Sequence, residues 1–276
     1  MNNSELKKLY KKTFNTVCDG YGHLSMRFFS KSAKQVLSYL NLDGNEHILD
    51  VATGTGYVAF AIAKELPGVQ ISGIDFSEGM LAQAFKNKSE QGIENVTFVE
   101  MDMQAITYPD NYFDVAVSAF SIFFIDDMKK QLIHMAEKVK DGGLILTTTF
   151  YDNAFVPLVN LFIDRLKTYG VDVPNLGWKR VATKEQCAAL FKEAGLRNVK
   201  CEQKPCGYYL GDASDWWYII WNAGFRGLVN QLSQNDLVKF KTEHLAEVEE
   251  LKTDQGIWLE ISTLYTVGEK PYQNTP

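Results

Sequence analysis

A glycine turn between a short apolar run and a helical pattern constrains the fold of this chain more than any other feature. Residues 48–51 predict a buried strand, and residues 58–66 predict a helix that packs on it. Between them, Gly54 and Gly56 permit positive φ angles and a close approach of the backbone to a ligand. The free amides at the start of the helix would face that ligand. The segment therefore predicts a nucleotide-type binding turn in an α/β fold.

Asp50 distinguishes between two kinds of ligand for this turn. It stands four residues before Gly54, where its carboxylate would face the same crevice. The pyrophosphate of a dinucleotide would be repelled there, whereas a cationic amino group would be attracted. S-adenosylmethionine carries an ammonium and a sulfonium and no phosphate. The spacing from Gly54 through Gly56 to Ala59 also fits the dinucleotide fingerprint, so an NAD(P)-dependent oxidoreductase is the alternative.

Two further acids follow the next two predicted strands. Residues 69–74 end at Asp75, about 20 residues beyond the turn, where nucleotide-binding folds place an acid on the ribose hydroxyls. Residues 96–100 predict a third strand, and Asp102 lies just past it. A carboxylate there can accept a hydrogen bond from an exocyclic amine, although a lone Asp more often caps a loop. Because parallel sheets bind ligands beyond the carboxyl ends of their strands, the three acids are expected to converge.

With these three acids and the glycine turn, the chain resembles the class I S-adenosylmethionine-dependent methyltransferases. Within that class it is most similar to the broad group that contains quinone C-methyltransferases and small-molecule methyltransferases. The resemblance covers residues 46–150 and is carried by LDVATGTG, GIDFSEGML, VTFVEMDMQAITYPDNYFDVAVSAFS and VKDGGLILTTTF. It implies a Rossmann-like α/β fold: a seven-stranded, mostly parallel sheet with an antiparallel last strand, helices on both faces and helical lid insertions.

The same resemblance implies that the cofactor is S-adenosyl-L-methionine and assigns its contacts. Asp50 and the glycine turn would hold the methionine end, Asp75 the ribose and Asp102 the adenine amine, while Tyr21 would act as a lid. The other implied contacts are Ala52, Gly54 and Gly56 on the turn, Phe76, Met80 and Met103 around the adenine, and Ser118 and Ala119 under the sulfonium.

The chain departs from its relatives after the predicted fourth strand. Many relatives carry one or two histidines there, whereas this chain has Ser-Ile-Phe-Phe-Ile over residues 121–125. A mechanism that relies on a histidine base at that point is therefore in doubt. His23 and Tyr21, in the N-terminal segment, are the candidates for a catalytic base. A protein that binds S-adenosylmethionine without catalysis is a second alternative.

The remaining chain is expected to complete one methyltransferase domain over residues 1–276. Ser77 is expected to cap the helix after the second strand, and Thr183 with Gln186 predicts a capping box further on. The expected core covers residues 36–150, 183–206 and 257–270, and the expected lid and substrate elements cover residues 1–35, 151–182 and 207–256.

Aromatic residues are concentrated in the lid segments and after the fourth strand. They predict an apolar or aromatic small molecule as the methyl acceptor. The alternative is that at least half of these rings only pack the lid onto the core. The candidates for the substrate pocket are Phe120, Phe123, Phe124, Trp178, Tyr208, Trp217 and Trp221.

Composition narrows the remaining classes of function. A formal charge of −6 argues against a nucleic-acid partner. The polar N-terminus and the absence of a long apolar run predict a cytoplasmic protein without stable membrane insertion. The four cysteines lack metal-ligand spacing, so no metal is expected. The lysines at positions 7, 8, 11 and 12 are expected on the solvent face of an N-terminal helix.

Overall fold

The computed structural model describes residues 3–173 and 176–272 and contains one sheet of seven strands. The strands lie in the order β3-β2-β1-β4-β5-β9-β6, and β9 is antiparallel to both of its neighbours. The expected seven-stranded, mostly parallel sheet with an antiparallel last strand is thus confirmed. Its members are β1 (His47–Val51), β2 (Gln70–Asp75), β3 (Val96–Glu100), β4 (Phe113–Ala119), β5 (Val139–Phe150), β6 (Arg197–Pro205) and β9 (Ser262–Glu269).

Helices cover both faces of this sheet. On β1, the adjacent residues Ile48 and Leu49 are both fully buried but belong to opposite apolar cores, because successive side chains of a strand point to opposite faces. One core is completed by α2 (Phe28–Val36), α3 (Tyr57–Glu65) and α4 (Glu78–Glu90), and the other by α5 (Met128–Lys138) and α7 (Lys184–Glu193).

Hydrogen bonds at the helix starts confirm both predicted caps. The Oγ of Ser77 accepts from the Met80 amide at 3.2 Å at the start of α4. At the start of α7, Thr183 and Gln186 form the reciprocal capping box, with distances of 3.2 and 3.1 Å. These bonds satisfy amides that have no partner within the helix.

The other helices fall in the segments expected to form the lid. They are α1 (Asn3–Val17), α6 (Leu158–Thr168), α8 (Ala213–Asn222), α9 (Arg226–Val229) and α10 (Gln234–Glu249). In the same part of the chain, β7 (Tyr208–Leu210) and β8 (Ile257–Leu259) form a separate antiparallel pair. This pair was not predicted, because three residues are too few to show an alternating pattern. None of the helices in the described ranges is both long and apolar enough to cross a bilayer.

A buried polar pair lies where α6, α8 and α10 meet. Trp216 of α8 is fully buried, and its Nε1 donates to the Nε2 of His244 at 2.9 Å. His244 of α10 is also fully buried. Burial lowers its pKa to about 4, so the ring is neutral and can accept this hydrogen bond at physiological pH.

Tyr265 ties α2 to the sheet and thereby fixes the helix that supplies Phe28 and Phe29 to the cavity described below. Its buried hydroxyl lies 2.8 Å from the Oγ of Ser32 and donates to the Ser32 carbonyl at 3.0 Å. We expect Tyr265→Phe to lower the free energy of unfolding by about 0.5–1.5 kcal/mol.

Chemical denaturation of the variant and of the parent protein measures this difference. The matched control is Tyr272→Phe, because the Tyr272 side chain is largely exposed and should tolerate loss of its hydroxyl. Equal losses in the two variants would show that the Tyr265 hydroxyl does not hold α2 in place.

Candidate functional site

A cavity of about 500 Å³ opens beyond the carboxyl ends of strands β1 to β5. It lies where the strand order reverses between β1 and β4, which is the usual ligand position in a doubly wound sheet. Asp50, Asp75 and Asp102 all line it, as do Ala119 at the end of β4 and Phe150 at the end of β5. The three acids predicted to converge are therefore brought together.

The glycine turn contributes backbone to the cavity wall. Gly54 has a φ of +58°, and a Cβ placed on it would meet no atom within 4 Å. Space for a ligand is thus left directly over this residue. Gly56 lies off the wall, which corrects its expected cofactor role: its φ is +90°, and a Cβ would come within 2.5 Å of the Phe60 ring. Gly56 is needed for the close packing of α3.

Asp50 is a buried carboxyl held by neutral donors. It accepts from the Thr53 hydroxyl at 2.6 Å and from the Ala59 amide at 3.2 Å. Burial raises its pKa to about 7, and the nearby Asp75 acts in the same direction, while the two hydrogen bonds oppose the shift. The native state therefore binds more protons than the unfolded chain between about pH 4 and pH 7. The contribution of Asp50 to the stability of the folded protein therefore falls as the pH rises through that window.

Asp75 joins the end of β2 to the glycine turn. Its two carboxylate oxygens accept from the Gly54 amide and the Ser77 amide, both at 2.9 Å. Burial raises the pKa of Asp75 to about 6, and the hydrogen bonds from the backbone reduce that shift. The turn and the second strand end are thus one hydrogen-bonded unit.

The N-terminal helix α1 closes the side of the cavity next to Asp102. Lys7 forms an ion pair with Asp102, and Lys11 pairs with Glu78 at 2.8 Å and with Glu100 at 2.9 Å. Both lysines keep part of their side chains in solvent, as expected, and they also pair with acids at the ends of neighbouring elements, which the sequence did not indicate. Leu6, Tyr10 and Phe14 of the same helix also line the cavity.

Most of the residues implied for cofactor binding lie on the cavity wall. Ser118 does not: it is fully buried, and its Oγ is hydrogen-bonded to the Oγ of Ser121. Because strand side chains alternate, Ala119 faces the cavity and Ser118 faces away. The implied residues on the wall are Tyr21, Asp50, Ala52, Gly54, Asp75, Phe76, Met80, Asp102, Met103 and Ala119.

The predicted aromatic residues divide into two groups. Phe120, Phe123, Phe124 and Trp178 line the cavity. The remaining three, Tyr208, Trp217 and Trp221, lie outside it, which corrects their assignment to the substrate pocket.

Packing within the lid explains why those three rings do not reach the cavity. The Arg27 guanidinium lies 3.7 Å from the Tyr208 ring centroid, and the Tyr208 hydroxyl donates to the Ser25 carbonyl at 2.7 Å. Trp217 stacks on Trp221 with ring centroids 6.0 Å apart. These rings cover one another and the lid, which is the alternative that the sequence left open.

Several wall residues were missed by sequence reasoning. Phe28 and Phe29 of α2 and Phe150 of β5 all line the cavity. The two α2 residues are part of an amphipathic helix, so their pattern is the same as that of ordinary core residues. Phe150 could have been found, because it ends a parallel strand just as the three acids do.

Neither candidate is suited to act as a base inside the cavity. Tyr21 lines the cavity and stacks on Phe29 at 5.1 Å, but burial raises its pKa above its ordinary value, so its hydroxyl stays protonated. His23 lies off the wall: its Nδ1 accepts from the Ser25 amide at 3.2 Å, and its ring stacks on Tyr218. Its position is that of a helix cap.

Fold and site together define a doubly wound α/β protein with a ligand cavity at its topological switch point. Residues 48–143 match the family model described as a methyltransferase domain. Among solved structures, the YcgJ protein from Bacillus subtilis has the same fold, with a TM-score of 0.59 at 19% identity over 88% of this chain and 100% of that chain.

Two curated relatives extend the comparison. The chain is 27% identical over 170 residues to an aklanonic acid methyltransferase from Streptomyces sp. (strain C5), covering 58% of this chain and 77% of that protein. It is 30% identical over 145 residues to a ubiquinone/menaquinone biosynthesis C-methyltransferase from Bdellovibrio bacteriovorus, covering 52% of this chain and 61% of the relative. That second match spans less than two thirds of the relative's length. These comparisons support a class I S-adenosylmethionine-dependent methyltransferase, with S-adenosylmethionine as its cofactor.

The raised pKa of Asp50 leads to a prediction about cofactor binding. At pH 7 about half of the Asp50 carboxyls carry a proton, because the pKa is about 7. A cationic amino group beside the carboxyl lowers that pKa, so S-adenosylmethionine should release about half a proton per molecule bound at pH 7 and much less at pH 8.5.

Calorimetry in two buffers with different ionisation enthalpies measures this proton release. In Asp50→Asn the release should disappear, since the amide does not titrate. Asp75, with a pKa of about 6, contributes little at pH 7. A parent protein that binds the cofactor at pH 7 with no net proton change would contradict a role for Asp50 at its cationic end.

Proposed function

We propose that this protein transfers the methyl group of S-adenosylmethionine to a small, apolar or aromatic acceptor. The observation that carries the proposal is a single cavity with two different walls. One wall holds the three strand-end acids and the glycine turn, and the other is built from phenylalanine and tryptophan rings. A cofactor on the first wall and an acceptor against the second would meet inside one enclosure.

The residues of the first wall fit the chemistry of the cofactor. Asp50 would attract the ammonium group, and Asp75 would accept hydrogen bonds from the ribose hydroxyls. Phe76 and Met80 offer apolar surfaces for the adenine, and Asp102 offers an acceptor for its amine. The open space over Gly54 is the place where a side chain would obstruct such a ligand.

The chain's own contribution to the reaction is alignment and exclusion of water. When bound, the cofactor supplies a methyl group that its sulfonium already activates. The aromatic wall would hold the acceptor in line with that methyl, and enclosure by the lid helices would keep water out. The two relatives, named for aklanonic acid and for ubiquinone/menaquinone biosynthesis, support a small-molecule acceptor of apolar character.

Binding and transfer are tested separately. S-adenosylmethionine should bind in calorimetry and NADH should not, and a radiolabelled methyl group should move from the cofactor to low-molecular-weight compounds of a cell extract.

Asp75→Ala should weaken cofactor binding by about 1–3 kcal/mol through loss of charged hydrogen bonds. The matched control is Asp152→Ala, whose exposed carboxylate pairs with Lys179 away from the cavity wall.

Each outcome bears on a different class of protein. Binding of NADH in place of S-adenosylmethionine would favour the oxidoreductase alternative. Cofactor binding without transfer to any compound would favour a protein that binds S-adenosylmethionine without catalysis. An unchanged affinity in folded Asp75→Ala would refute the proposed role of that acid.

We propose that helix α1 is a lid and that its Lys7 competes with the adenine of the cofactor for Asp102. Asp102 pairs with Lys7 through Oδ2 and accepts from the Gln104 amide through Oδ1 at 3.0 Å, so both of its oxygens are engaged. Lys7→Met removes the competing charge and keeps an apolar side chain on the cavity wall. We expect it to raise cofactor affinity roughly 2- to 5-fold, because partly exposed ion pairs contribute up to about 1 kcal/mol.

The matched control is Lys8→Met on the same helix, where the side chain is exposed. Calorimetric dissociation constants at low and high salt measure the effect, which should shrink in salt because exposed charge pairs are screened. Weaker binding in Lys7→Met would show that Lys7 supports the cofactor and does not compete with it.

A further inference from the structure

The charged side chains of the cavity wall belong to its cofactor half. Among the described residues, the ionisable side chains on the wall are Lys7, Asp50, Asp75 and Asp102 and the tyrosines Tyr10, Tyr21 and Tyr57, of which Tyr10 packs on Phe124 at a ring-centroid distance of 5.1 Å. Asp50 lies next to the last residue of β1, Asp75 ends β2 and Asp102 follows β3, and these three strands occupy one half of the sheet. The lysine already pairs with one of those acids.

The other half of the cavity is a chamber of apolar rings. We define the aromatic chamber as the part of the wall that is built from Phe28, Phe120, Phe123, Phe150, Phe155, Trp178, Phe225 and Leu228. Phe150 lies at its centre, with ring-centroid distances of 4.5 Å to Phe120, 5.0 Å to Phe155 and 5.9 Å to Trp178. Gln231, an exposed residue, adds an amide at the rim of the cavity.

Sheet geometry separates the acids from this chamber. Phe150 ends β5, two strands away from Asp50 on β1, and neighbouring strands are spaced about 4.8 Å apart, so the two strands lie about 10 Å apart. The register aligns Asp50 with Val117 and Val117 with Leu146, so Phe150 also lies four residues further along its strand. Asp50 and Asp75 also accept hydrogen bonds from the glycine turn and the residues that follow their own strands. These carboxylates are held at the cofactor end.

The tyrosines on the wall do not supply a base either. Burial raises the pKa of Tyr10, Tyr21 and Tyr57, so each hydroxyl remains protonated at neutral pH. Residues 1–2, 174–175 and 273–276, outside the described ranges, carry no ionisable side chain in the sequence. No side chain of the described residues is thus placed to take a proton from an acceptor inside the aromatic chamber.

We infer that the methyl acceptor is an acid that enters the cavity already deprotonated, such as an acidic phenol, enol or carboxylic acid. The reason is that an aromatic chamber without a base adjoins a site for a cation. The inference rests on the proposed function and narrows it. The acceptor loses its proton to water before it enters. Its anionic oxygen or carbon then bonds to the methyl carbon while the S–CH3 bond breaks, and that bond's electron pair remains on sulfur.

Charge balance explains why such a chamber favours this class. An anion and a sulfonium cation attract each other strongly in a medium of low dielectric constant, and their reaction leaves two neutral groups. A neutral amine acceptor would leave a cation on nitrogen inside the same apolar walls, which gains nothing from the low dielectric. The aromatic wall therefore selects for transfers that remove charge.

The ionisation state of a bound acceptor can be measured without turnover. The probe is 4-nitrophenol, whose absorbance distinguishes phenol from phenolate, at the pH equal to its pKa in water. With sinefungin, which carries an ammonium in place of the sulfonium, the bound probe should be mostly phenolate. With S-adenosylhomocysteine, which is neutral at sulfur, it should be mostly phenol. We expect at least about a tenfold difference in the phenolate-to-phenol ratio.

Turnover gives the second readout. Across a series of naphthols with different pKa values, the pH midpoint of kcat/KM should follow the pKa of the acceptor. The paired variants Leu228→Asp and Leu228→Asn differ only in charge and place it in the aromatic chamber. The Asp variant should lower kcat/KM for naphtholates at least about tenfold relative to the Asn variant, and it should not lower the rate with naphthylamine.

The outcomes distinguish this inference from the proposed function. A pH midpoint that stays fixed across the naphthols, a faster reaction with naphthylamine, or a probe that binds as phenol with sinefungin would overturn the inference and leave methyl transfer standing. A probe that fails to bind while both cofactor analogues bind would also overturn it. Failure of S-adenosylmethionine and its analogues to bind would overturn the proposed function itself.

Discussion

The site depends on two buried carboxyls that are held by neutral donors. Asp75 accepts hydrogen bonds from the Gly54 and Ser77 amides. Asp50 accepts hydrogen bonds from the Thr53 hydroxyl and the Ala59 amide. The shape of the glycine turn therefore depends on both strand ends. Neither set of donors carries a full charge, and burial accordingly raises both pKa values toward neutrality. Ionisation of both carboxyls is unfavourable in the ligand-free protein and becomes favourable when a cationic ligand binds beside them. The structure is thus better suited to a cationic ligand than to a phosphate.

Strand order turns this local arrangement into a site with two chemically different halves. In the order β3-β2-β1-β4-β5, the ends of the first three strands supply acids, and the ends of the last two supply apolar residues. The reversal between β1 and β4 is the boundary between them, and the cavity spans it. A charged ligand and an apolar one can therefore bind side by side without either lying against an unsuitable wall. Such a division suits the proposed methyl transfer from a cationic donor to an apolar acceptor.

The sequence predicted the first half of the site better than the second, for a physical reason. Acids at the ends of strands such as Asp75 and Asp102 stand out, because a charge next to a buried strand has few structural uses. Aromatic residues carry no such distinction: Phe150 on the wall and Trp217 outside it are both apolar rings in buried surroundings. Contacts within the lid, such as the Arg27 guanidinium over Tyr208, decide which aromatic rings reach the cavity wall. These contacts join residues that are far apart in the chain. No local pattern encodes such contacts.

The absence of a histidine after the fourth strand has a different meaning once the cavity is known. In the sequence alone it cast doubt on a mechanism with a histidine base and left a protein without catalysis as a second alternative. In the structure, the segment 121–125 supplies Phe123 and Phe124 to an apolar wall, so a charged imidazolium there would be desolvated. An acceptor that ionises in water needs no base from the chain, and its anion would be attracted by the cation beside it. What looked like a missing catalytic group is consistent with an enzyme whose substrate brings its own nucleophile.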